Sequence, residues 1–205
     1  MNAKALKLFK EAWDEIKRGN FFDESINRAF DYMIKSLWKT PYSASIRADI
    51  IKHLPSLAQK SKGFEAPPPY LYILISLKDN AINKIIQEIA IFDFVKSNAT
   101  EESTYHILNL IETFSEKQVP IENFINAVVK NINQKMNHDM VEALAYMISI
   151  QHPETMRNFI KKFLSFPNDS LLKSFINMHG RKGMLELTQV ANPTQLNKIL
   201  KLVNK

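Results

Sequence analysis

From Leu6 to Leu200 the apolar side chains recur at steps of three and four, and no strand pattern recurs anywhere in the chain. That is the period of a helix, so the sequence has to fold by packing helix on helix. Leu6, Phe9, Trp13 and Ile16 share one face of a first helix, which Gly19-Asn20 ends because both residue types tolerate the left-handed cap. A second helix starts at about Asp23 and carries Ile26, Phe30, Met33, Ile34, Leu37 and Trp38; Thr40-Pro41 closes it, since the residue before proline avoids helical torsions. A third, with Ser43 or Ser45 as its cap, carries Ile46, Ile50, Leu54 and Leu57, and Pro55 within it predicts a kink or break.

The run Ser61 to Pro69 is a seam, because three successive prolines favour an extended polyproline conformation. It suggests an amino-terminal segment 1–62, a Pro-rich seam 63–69 and a helical region 70–205, or one continuous domain 1–205 with a long turn. Tyr70–Leu77 is the one segment with strand composition, but a strand without a partner is unstable, so it reads as a short buried helix. Further helices follow: Asp79-Asn80 precedes Ile82, Ile85, Ile86, Ile89 and Phe92; Thr100 caps Ile107, Leu108, Ile111 and Phe114; Pro120 opens Phe124, Ile125, Val128, Val129 and Ile132. Others start at Asn137, Pro153 and Pro167, Gly180 and Gly183 bracket a turn, and Pro193 opens the last. The expected fold is all-α, with about eleven or twelve helices joined by short connections into antiparallel hairpins.

Two of these hairpins are spaced alike. Leu108 to Leu144 is 36 residues, Pro120 to Pro153 is 33, and Phe124-Ile125 to Phe159-Ile160 is 35. A hairpin period in the mid-thirties belongs to α-solenoids, in which each pair buries its apolar face only by stacking on the next. On these residues, 100–179 resembles the helical-hairpin repeat superfamily, most of all the organellar heptatricopeptide and pentatricopeptide proteins. The tetratricopeptide Trp, Gly and Tyr signature is missing, and no five-residue base-reading code is present. The resemblance implies a right-handed α-solenoid-like array, and a protein that binds organellar RNA or sits in a ribosome or other large assembly, with the mitochondrion as a compartment.

Composition narrows the chemistry. At 45% hydrophobic and 23% charged the chain is globular rather than disordered. Without cysteine it has no disulfide, thiolate zinc site, iron–sulfur cluster or cysteine nucleophile, and this fits a reducing intracellular compartment. Four glycines leave little for a phosphate loop. No run approaches the roughly 18 apolar residues that would span a bilayer. His53, His106, His138, His152 and His179 stand in no chelating pattern, and Asp14-Glu15, Asp23-Glu24 and Glu101-Glu102 are adjacent in sequence and so splay around their helices. No catalytic residue, metal ligand or cofactor is expected.

Charge is the feature with functional promise. The chain carries 27 Lys and Arg against 21 Asp and Glu, but from Arg157 to Lys205 nine bases face only Asp169 and Glu186, a net of +7. Arg157, Lys161, Lys162, Lys173, Arg181, Lys182, Lys198 and Lys201 are the candidate nucleic-acid-binding residues; aligned by neighbouring helices they would contact several phosphates. Few solvent-side aromatics interleave with them, which favours backbone or shape recognition over base stacking. The expected function is a non-enzymatic helical-repeat protein bound to RNA or a ribonucleoprotein, as part of a larger complex. The alternatives are an acidic protein partner, for a scaffold subunit or secreted effector without nucleic-acid contact, and an enzyme with a site between helices.

Overall fold

The computed structural model describes residues 2–61, 67–132, 141, 143–144, 146–147, 160–161, 164–165 and 169–203. Among them the chain is all-α: α1 Asn2–Arg18, α2 Glu24–Leu37, α3 Ser43–Lys60, α4 Pro69–Ser76, α5 Asn80–Lys96, α6 Glu101–Glu116, α7 Glu122–Asn131, α8 Asp169–Val190 and α9 Pro193–Val203. None of these helices is long and apolar enough to cross a membrane. The helices expected from Asn137 and Pro153 fall mostly outside the described residues, as do Pro153, Phe159 and hence half of the repeat; Val141, Leu144, Ile160 and Leu164 are helical and buried. The chain divides into two compact units, Met1–Ala90 with Thr113–Val119, and Ile91–Glu112 with Pro120–Lys205.

In the first unit, α1 and α2 pack through the faces their periodicity marks. Phe9, Trp13 and Ile16 meet Phe30, Ile34 and Leu37, all buried. The Phe30 ring stacks on Phe9 (5.7 Å) and on Trp13 (5.4 Å); each such side chain contributes about 1.5–3 kcal/mol of burial, and each ring pair about 1 kcal/mol more. The Trp13 Nε1–H donates to Asp49 of α3 (2.8 Å), and Lys60 of α3 donates to the Lys17 carbonyl (2.8 Å), one of the open carbonyls at the end of α1. Asp23 caps α2, accepting the Ile26 amide (3.0 Å). Hydrogen bonds from the Ser25 hydroxyl and then the Ile26 amide hold its carboxyl below the usual range.

Pro68 has polyproline torsions (φ −58°, ψ 144°), and Pro69 is the first residue of α4, where a missing N–H is harmless. α4 is the short buried helix its composition suggests: Tyr70, Leu71, Leu74 and Ile75 are buried, α4 packs on α2, and the Tyr70 ring lies 5.6 Å from Phe21. Burial pushes the Tyr70 hydroxyl up to about 12; Ser61 pulls it the other way, yet gives it no well-aligned hydrogen bond.

Several local expectations need correction. Of the kink or break expected at Pro55, the break is absent: α3 runs on through it, since the proline removes one backbone bond at an exposed position and the buried stripe of Ile46, Ile50, Leu54 and Leu57 holds the helix on either side. Neither Ser43 nor Ser45 caps α3. Tyr42 occupies that place without a side-chain bond, and the Ser45 hydroxyl donates back to its carbonyl (2.9 Å). Pro120 precedes the start of α7 rather than opening its first turn, with Ile121 at the cap. The expected Gly180–Gly183 turn is a sharp kink at Gly180 (φ 53°, ψ −138°), with helix on both sides; only glycine adopts such torsions readily.

Helix ends share one device. Beyond α1, the Gly19 N–H donates to Ile16 and the Asn20 N–H to Glu15. Beyond α5 the same pair of bonds runs from Asn98 to Val95 and from Ala99 to Phe94, and beyond α6 from Gln118 to Ser115 and from Val119 to Phe114, all at 2.8–3.1 Å. This is the Schellman closure, which needs a left-handed residue. Only α1 uses glycine (φ 115°); Asn98 (56°) and Gln118 (54°) serve elsewhere, and Lys78 is left-handed just beyond α4 (54°). Phe94 with Ala99, and Phe114 with Val119, occupy the paired apolar positions of the motif, and all four are buried.

Candidate functional site

The expected basic residues belong to the second unit, and their settings differ. Ile160 and Leu164, one helical turn apart, are buried, while Lys161 beside them is exposed. In α8 the buried Leu172 is followed by the exposed Lys173. In α9 Ile199 is fully buried, Lys201 is exposed, and Lys198 is half-buried and engaged in a contact of its own. The backbone of Arg181 and Lys182 follows the Gly180 kink directly, at the start of the second half of α8. Arg157 and Lys162 lie outside the described residues, as do the side chains of Arg181 and Lys182.

Two contacts link the segments that carry these lysines. α8 packs against α9, and Gln195 Nε2 of α9 donates to the Leu164 carbonyl (3.3 Å), three residues from Lys161. α9 itself is set by a reciprocal cap: Asn192 Oδ1 accepts the Gln195 amide (2.9 Å) and Gln195 Oε1 accepts the Asn192 amide (3.0 Å), a capping box that accompanies the expected Pro193 start. Lys161, Lys173 and Lys201 make no ion pair among the described residues.

The acidic pairs splay as adjacency in a helix requires. Asp14 pairs with Lys17 (2.7 Å) while Glu15 pairs with Arg18, and Asp23 caps α2 while Glu24 pairs with Arg28. Asp49 accepts from Trp13 and sits near Lys17 (4.0 Å) and His53 (3.4 Å), tying α1 to α3. Asp79 accepts the amides of Ala81 (3.0 Å) and Ile82 (3.1 Å) at the start of α5, and also holds Arg47 of α3 (2.8 Å). His106 is half-buried in α6; burial lowers its pKa, and the Asp93 and Glu102 carboxylates oppose that. Among the described residues no three His, Asp or Glu side chains gather to hold a metal ion.

The apolar phase of α5 differs from expectation. Ile82, Ile86, Ala90 and Phe94 are buried, whereas Phe92 is 59% exposed, with the Lys96 ammonium 5.7 Å from its ring centre. Tyr105 and Tyr146 are exposed as well, so the second unit has more solvent-side aromatics than its sequence suggests. Isoleucine around much of α5 left the phase ambiguous. The burial of Phe94, with Phe92 left exposed, settles it. No family model matches the chain, nor does any curated protein or solved structure.

Proposed function

We propose that this chain is a non-enzymatic helical binding protein that engages RNA or a ribonucleoprotein through the basic residues of its carboxy-terminal third, its helices stacked as a solenoid of hairpins. The observation that carries the reading is the set of exposed ammonium groups at Lys161, Lys173 and Lys201, which make no ion pair among the described residues. They stand in a stretch where nine bases have only Asp169 and Glu186 to neutralise them. An unneutralised cation gains most by displacing the counterions of a polyanion. Lysine heads act as point charges on phosphates rather than as readers of base edges, so the expected mode is backbone or shape recognition.

A protein-binding scaffold is favoured by one further observation: Leu185 and Leu200, in the same hairpin as Lys201, are 60% and 46% exposed. Titration of the purified protein with a labelled single-stranded RNA pool, over about 50 to 300 mM salt, separates the two. RNA binding predicts micromolar or tighter affinity that falls steeply with salt. In the Lys161→Glu/Lys173→Glu/Lys201→Glu variant, affinity should fall at least about tenfold and the log–log salt slope should flatten by about two units. Absence of binding at the lowest salt, or an unchanged variant, would overturn this reading in favour of the scaffold.

A further inference from the structure

We draw no further inference here: the strongest candidate, the surface patch of Phe92 and Val95 on α5 with Lys96 over the Phe92 ring, is an exposed apolar face, and nothing in the structure shows what covers it.

Discussion

Along α1 and α2 a carboxylate stands one turn from many of the bases: Glu11 from Lys7, Asp14 from Lys17, Glu15 from Arg18, Glu24 from Arg28, Asp31 from Lys35. Between Arg157 and Lys205 such company is scarce: Lys161 and Lys201 have no Asp or Glu within a turn, only Lys173 has Asp169 one turn before it, and none of the three makes an ion pair among the described residues. The larger segments that contain these regions, residues 1–67 and 139–205, each carry a net +4, yet their electrostatics differ. Where charges alternate within a helix, their fields cancel within a few ångströms. Where they do not, the field extends about a Debye length, roughly 8–10 Å, into solvent. Net charge alone hides this difference, and the spacing of opposite signs shows it.

The contrast is sharpened first at the core that the paired region covers. Trp13→Ala should cost about 3–5 kcal/mol, read from the denaturant midpoint, because it removes a buried ring and its bond to Asp49. A loss below about 1 kcal/mol would mean that α1 is not anchored there. Next comes alkali. Burial raises the Tyr70 pKa to about 12 from the usual 10, so stability is flat below pH 10 and falls as pH rises from 10 towards 12, by about 2–3 kcal/mol in all. Tyr70→Phe should flatten that decline, and an unchanged pH profile would place the hydroxyl in water.

Direct tests of the charges themselves are smaller. Asp79→Ala removes both a cap and the Arg47 pair and should cost about 2 kcal/mol. Replacing Lys161, Lys173 and Lys201 together by Gln should change stability by less than about 0.5 kcal/mol. If the triple variant unfolds as easily as Asp79→Ala, those lysines have partners and the contrast fails. Smallest is the turn chemistry. Gln118→Gly should stabilise by about 1 kcal/mol by relieving a left-handed side chain. Gly19→Ala should destabilise by a similar amount through backbone strain alone, since a Cβ there meets no atom within 4 Å.

How much could be read from residues alone depended on whether the deciding interaction was local. The faces of α1, α2, α3 and α7 were legible because apolar and polar positions alternate cleanly around them; Phe9, Trp13, Phe30, Ile50 and Val128 all lie where the period puts them. The start of α2 at Asp23 and the cap at Thr100 were legible too, since a capping side chain acts within three residues. The left-handed Lys78 and Gln118 were not, because neither is glycine or asparagine. Asn27 and Asn83, buried at 7% and 2% exposure on apolar faces, gave no signal in a pattern that sorts residues by polarity. The carboxy-terminal bases were legible as composition, but which of them are free depends on contacts between segments, as the half-buried and engaged Lys198 shows.

The Trp13–Asp49 bond has a consequence apart from stability. A greasy helix face can settle against its neighbours in several nearly equivalent rotations, because Leu, Ile and Phe substitute for one another at small cost. An indole N–H cannot be so relaxed. Turning α1 by one residue, about 100°, would carry it away from its acceptor and leave a buried donor unsatisfied, at about 1–3 kcal/mol. The bond therefore works as an index mark: it distinguishes one rotational setting of α1 from its near-degenerate rivals, and gives an otherwise oily interface a single answer.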